Sequence, residues 1–248
     1  LIIVLCGPLL AQTKVEIVAD EAEAVLAILA KRAQGGVPCD ADWTRLFQSE
    51  GYRRLVAREA TFKHPMDEAA FKEFVLGKEL QPRYEDLART LRAWRSADMN
   101  ACGQRALAYL PTGASIQARI YPVIKPWKNS FVFEGNAIFL CVDPAKTQAQ
   151  FENTLTHELH HIGLDSVKPE PGLVAEFERL PAPLREATTW LGALGEGFAM
   201  LAAAGGPDVH PHAISSDEDR QRWDRDMARF GADLKLLEAV YLDVAEGR

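Results

Sequence analysis

The stretch Thr156-His157-Glu158-Leu159-His160-His161-Ile162-Gly163 carries the pattern His-Glu-x-x-His. At about 100° per residue, a helix sets His157 and His161 about 40° apart on one face, with Glu158 about 60° beyond His161. Two neutral imidazoles so placed reach one ion, and zinc accepts them at about 2.0–2.1 Å. A catalytic zinc takes three protein ligands and keeps a fourth position open for water, whose pKa falls to about 7. A carboxylate beside that water takes its proton and returns it to a leaving amine, the role that falls to Glu158. From this chain's own composition the pattern arises by chance in roughly 1 of 100 such sequences, so its surroundings have to decide.

Those surroundings favour a metal face. Phe151, Leu155, Leu159 and Ile162 fall on the other side of the helix and give it a core face. Gly163 reads as the helix stop. His160 points about 60° to the other side of His157 and reads as a core or supporting histidine. The third ligand must come from elsewhere. A metzincin continuation is excluded, because it requires Gly at 164 and His at 167, where this chain has Leu164 and Val167. Asp165, Glu176, Glu178, Glu186, Glu196, His210 and His212 remain as candidates. Glu196 stands out within Leu191-Gly192-Ala193-Leu194-Gly195-Glu196-Gly197. Glycine inside a helix costs about 1 kcal/mol relative to alanine, so three around one carboxylate imply that another backbone approaches closely there. Asp165, one turn after His161, is placed to hydrogen-bond an imidazole instead.

A scaffold has to hold these residues. Val18, Ala22, Val25, Leu26 and Leu29 recur at helical spacing within a helix from Val15 to Arg32, which Gly35-Gly36-Val37-Pro38 ends. Further helices are expected at 40–49, 51–63, 66–77 and 82–109, punctuated by Gly51, Pro65, Gly77, Pro82 and Pro111. Between Ser115 and Val142 the texture changes to three strand-like runs, from Ile116 to Val123, Phe131 to Phe133 and Ala137 to Val142. Helices return at 147–163, 183–204 and 216–245. The last, capped by Ser215 or Ser216, carries Trp223, Met227, Phe230, Leu234, Leu237 and Tyr241 on one stripe that reads as core. The expected fold is α+β and mostly helical, one domain over 13–248. It divides into a helical layer (13–112), a small central sheet with the metal-site helices (113–205) and a C-terminal helix (206–248).

A His-Glu-x-x-His helix, a Glu about 35 residues later on a second helix, and a strand feeding the first helix resemble the gluzincin zinc metallopeptidases. Within them the chain looks most like uncharacterised bacterial zinc-dependent peptidases, whose motif often reads His-Glu, an aromatic or Leu, then His-His, and whose second helix carries a Glu-Gly pair. The resemblance covers 118–205. It implies a zincin-like fold with one zinc ion held by His157, His161 and Glu196, Glu158 as general base, and a peptide or protein substrate. It further implies that Ala137 to Val142 is an edge strand before the metal helix, pairing with extended substrate through main-chain hydrogen bonds. Asn136-Ala137 echoes an Asn-Ala substrate motif. One position departs from the thermolysin-like Glu-x-x-x-Asp, with Met200 in place of the Asp that would support the first histidine. His210, His212, Tyr121 and Tyr241 stay open as oxyanion stabilisers.

Composition bounds the rest. A chain of 248 residues, 48% hydrophobic, buries roughly 75% of the surface it exposes unfolded, so a metal here serves chemistry rather than folding. The net charge of −7 has the wrong sign for a phosphate backbone, and no nucleic-acid partner is expected. The one basic cluster, Arg53, Arg54, Arg58 and Lys63, reads as a solvated helix face. The segment LIIVLCGPLLAQ (1–12) reads as a signal-peptide remnant, too short for the roughly 20 residues of a bilayer span. An exported protein, periplasmic or secreted, without stable membrane insertion is expected. Cys6, behind the bulky Leu5, is no lipid anchor. The remaining cysteines allow at most one disulfide, for which Cys39 and Cys102 are the candidate pair in an exported protein, and Cys141 reads as a core residue. The expected function is a zinc metallopeptidase. The competing readings are a catalytically idle or non-enzymatic binding protein of the same fold, and a zinc hydrolase of non-peptide amides.

Overall fold

The computed structural model describes residues 13–61, 66–189 and 192–247. The segment 1–12, with Cys6, and Lys63 lie outside the described residues. One mixed sheet holds β1 (Thr13–Ile17), β2 (Ile116–Val123), β3 (Phe131–Phe133) and β4 (Ala137–Cys141) in the order β1-β2-β4-β3. Strands β1 and β4 run parallel to β2, and β3 pairs antiparallel with β4. Parallel central strands are covered on both faces and therefore read as near-continuous apolar runs. Ile116, Ala118, Ile120, Ile138 and Leu140 face the main core, whereas Tyr121, Val123, Ala137 and Phe139 form a smaller cluster with Leu55 on the opposite face.

Before β2 come α1 (Asp20–Ala33), α2 (Asp40–Gln48), α3 (Glu50–Thr61), α4 (Glu68–Leu76), a 3-10 turn at Gln81–Arg83, α5 (Tyr84–Arg95) and α6 (Met99–Leu107). After β4 come α7 (Gln148–Asp165), α8 (Pro171–Arg179), α9 (Ala182–Thr189), α10 (Gly192–Ala204) and α11 (Asp217–Ala245). The chain is thus mostly helical around a small sheet, an α+β arrangement. No helix among the described residues is long and apolar enough to cross a membrane.

Helix α7 is set into the core from several directions. Thr147 and Gln150 form a capping box at its start, with Gln150 N–H donating to Thr147 Oγ1 at 3.2 Å and Thr147 N–H to Gln150 Oε1 at 2.9 Å. Phe151, Leu155, Leu159 and Ile162 are buried, and Phe151 stacks on Trp94 of α5 with ring centroids 4.5 Å apart. Gly163 does not stop the helix, which runs on to Asp165. It is instead a packing site, where a Cβ would collide with Leu110 and stand 3.1 Å from Ile116. Helix α10 lies against α7 and α6 through the buried Ala199, Ala202 and Ala203, and Asn153 Nδ2 of α7 donates to Ala203 O at 2.8 Å.

Several expectations are corrected. Val15 to Ile17 belong to β1, not to the first helix; short β-branched runs fit both periods, and pairing with β2 decides. The helix expected at 82–109 breaks at Ser96–Asp98, where the Asp98 side chain caps α6 by accepting from Ala101 N–H at 2.9 Å. The stretch expected as 183–204 is helical on both sides of residues 190–191, which lie outside the described residues, and α8 precedes it with Pro171 at its first position. The α11 stripe is not core: no residue of α11 is buried, and Phe230 and Leu237 are 49% and 48% exposed. An amphipathic pattern shows which face seeks cover, not whether the fold supplies it. Cys39, Cys102 and Cys141 are free thiols, with Cys39 exposed and the other two buried. The basic cluster is not merely solvated: Arg54 meets Glu50 and Glu134 at 3.5 and 3.6 Å, and the Arg58 guanidinium sits 3.9 Å over the Phe131 ring.

Candidate metal centre

One helical turn separates His157 and His161 on α7, and their Nε2 atoms lie 3.1 Å apart. Glu196 Oε2, delivered by α10, lies 3.1 Å from His157 Nε2 and 3.3 Å from His161 Nε2. A tetrahedral ion with bonds of about 2.0–2.1 Å has its ligand atoms about 3.3–3.4 Å apart, so this near-equilateral triangle matches one face of a zinc tetrahedron. Two imidazoles and one carboxylate are also a catalytic donor set for that ion. The imidazoles are half-buried while the Glu196 side chain is 61% exposed, so the remaining side opens toward solvent. Among the described residues these three are the group that could hold a metal ion.

The electrostatics suit ligation. Burial, reinforced by the neighbouring His161, holds the His157 imidazole below its ordinary pKa against the opposing pull of Glu196. That favours the neutral form, which binds metal. Burial also pushes the Glu158 carboxyl up, with Glu196 adding and His161 and Lys146 opposing. No hydrogen bond or ion pair engages the Glu158 carboxylate among the described residues, so a raised proton affinity is left available beside the two histidines. His160 is 1% exposed, with Nε2 3.4 Å from Tyr109 O, and stands in the core side of α7.

The other candidates separate cleanly. Asp165 is exposed and bonds no imidazole. Glu176, Glu178 and Glu186 sit exposed on α8 and α9, outside the donor group. His210 accepts from His212 N–H at Nδ1 (3.0 Å) and meets Asp224 of α11 at Nε2 (3.2 Å), so both ring nitrogens are engaged elsewhere. His212 differs. With His157, Asn153, Thr154 and Met200 it lines a cavity of about 240 Å³, and its Nδ1 lies 3.2 Å from Ser215 Oγ. Tyr121 is buried and its hydroxyl donates to Glu50 Oε1 at 2.7 Å, while Tyr241 belongs to α11. Asn153 was not singled out in the sequence, yet its position one turn before His157 places it on the metal face.

Two expectations about the surroundings fail. Strand β4 is interior rather than an edge, paired with β2 on one side and β3 on the other, so Ala137 to Val142 offers no free edge for substrate along its paired length. Asn136 O is already taken by Arg119 N–H at 2.9 Å. Sequence shows that a segment is a strand but not how many neighbours it has. The glycines beside Glu196 do not receive a backbone among the described residues either: there, Cβ atoms at Gly192 and Gly197 would meet nothing within 4 Å, and one at Gly195 would meet only Leu164 at 3.7 Å. The close approach between these helices runs through α10's alanines instead.

No curated protein and no solved structure matches the chain. A family profile does, along residues 43–248, from α2 across both metal-site helices to the chain's last residue. Its description reads "Putative zinc dependent peptidase (DUF5700)", and the chain belongs to that family.

Proposed function

We propose that the chain is a zinc metallopeptidase of gluzincin type, with His157, His161 and Glu196 as ligands and Glu158 as general base. One observation carries this reading: a single Glu196 oxygen lies 3.1 and 3.3 Å from two imidazole nitrogens that are themselves 3.1 Å apart. Zinc held there supplies Lewis acidity toward a carbonyl and lowers the pKa of water to about 7. Glu158 takes a proton from the attacking water as its oxygen bonds to the scissile carbonyl carbon. It then delivers that proton to the departing nitrogen as the C–N bond breaks. His212, which shares a cavity with His157, is the residue we assign to the developing oxyanion. The substrate is a peptide or protein, met outside the cytoplasm in keeping with the apolar segment 1–12.

The test is Glu158→Gln, assayed for zinc content and for hydrolysis of an unfolded protein such as reduced casein. Zinc near one equivalent should be retained while hydrolysis falls by roughly 10²–10⁴-fold. Undiminished hydrolysis in that variant would remove Glu158 from the reaction.

A further inference from the structure

A cavity of about 550 Å³ opens beyond the carboxyl ends of β2 and β4, away from every residue of the metal centre. Lys78, Arg83, Lys125 and Lys128 line it, with Phe74 and Leu87 on its apolar wall. Its volume lies within the roughly 300–1,000 Å³ of small-molecule sites, and the carboxyl ends of parallel strands are where open α/β sheets hold ligands.

The charge around it is lopsided. Among the described residues, Glu79 is the one carboxylate lining the cavity. Asp143 stands behind, 3.0 Å from Lys128 and 3.7 Å from Arg83, where it orients both cations. Counting both carboxylates against the four cations leaves an excess of two positive charges, in a chain whose net charge is −7. Lys125 sharpens the point, because it is only 4% exposed and has no ion pair among the described residues. Its ammonium donates to Asn129 Oδ1 and lies 5.5 and 5.4 Å from the Trp127 and Phe131 ring centroids. The neighbouring acids compensate it only in part. Glu59 is committed to Arg58 at 2.8 Å. Glu21, which accepts from Ile124 N–H at 2.9 Å, is pushed up to about 8 by burial and so is mostly protonated at neutral pH. A buried ammonium without full counter-charge is costly, and an anion in the cavity supplies what the fold does not.

We infer that this cavity binds a small organic anion, its carboxylate or phosphate head group held by Lys78, Arg83, Lys125 and Lys128 and a short apolar body lying against Phe74 and Leu87. The site is independent of the peptidase reading.

Calorimetric titration of the full chain tests it, with phenyl phosphate and phenylacetate as the charged probes and benzyl alcohol as the neutral one. Both anions should bind about tenfold or more tightly than the alcohol. Chelation of metal should leave those affinities unchanged. The double variant Lys78→Glu with Lys128→Glu, at two exposed positions, should weaken anion binding by about tenfold or more. Lys125→Met should do the same and raise the melting temperature of the free chain, since an unpaired buried charge is replaced by an apolar side chain of similar length. Equal affinity for anion and alcohol, binding unaltered in the double variant, or binding abolished by chelation would each overturn the proposal.

Discussion

Helix α7 brings its imidazoles out of the core, whereas α10 brings its carboxylate in from the surface. Four apolar residues of α7 are buried, a capping box fixes its first turn, and Gly163 lets it press against Leu110 and Ile116. Helix α10 is held through three small alanines and the Asn153 bond, and its glycines near Glu196 face open space. On the proposed reading one helix supplies two pre-positioned donors, and the other a third that metal binding would help to fix. Rigid elements hold donors more tightly than loose ones, so damage to α7 should act on fold and metal together, and damage to α10 on metal alone.

The largest effects should come from the donors. His161→Ala and Glu196→Ala should each weaken zinc binding by more than the roughly 10–100-fold typical of outer-shell changes. Competition with a chromogenic chelator measures this. Removing zinc from the native chain with EDTA should abolish hydrolysis yet leave most of the stability, since the main core lies beside the sheet and not around the ion.

Next in size is a test of packing. Gly163→Val should destabilise the chain by about 1–3 kcal/mol in urea denaturation, because its side chain must displace Leu110 and Ile116. Gly197→Ala meets nothing within 4 Å and should stabilise by up to about 1 kcal/mol. If the two substitutions cost the same, the contrast between the helices is wrong.

Glu21, fully buried on α1, gives a pH signature of the fold apart from both helices. Its folded pKa of about 8 stands above the ordinary 4.5, so the folded state holds the proton more tightly than the unfolded chain. The stability from this group is fully present below about pH 4.5 and is lost progressively as pH rises toward 8. Glu21→Gln should keep the Ile124 bond and flatten that slope, without altering zinc affinity; denaturation midpoints between pH 5 and 8 measure it. The smallest effect concerns the seam between the helices. Asn153→Ala removes a hydrogen bond to Ala203 O and should cost about 1 kcal/mol, together with a modest weakening of zinc binding.

Much of this was legible before the fold. The metal helix was readable because its apolar positions, the two histidines and Glu158 obey one period, and that period is local. Strands β2, β3 and β4 were readable from their composition. What sequence could not carry is long-range. β1 is five residues whose identity as a strand depends on pairing about a hundred residues away. The interior position of β4 depends on β3 folding back beside it. Gly163 and Gly197 look alike in a sequence, and only the atoms a Cβ would meet tell a packing site from open space. The α11 stripe teaches the same lesson, since its pattern was correct and its expected cover is absent among the described residues.

On the proposed function, α7 and α10 together close on one zinc ion. Crystals grown with zinc, with anomalous data collected on both sides of the zinc edge, test it most directly. One strong peak is expected about 2.0–2.2 Å from His157 Nε2, His161 Nε2 and a Glu196 oxygen. A zinc peak held by other residues, or held by the two histidines with Glu196 turned away, would contradict it.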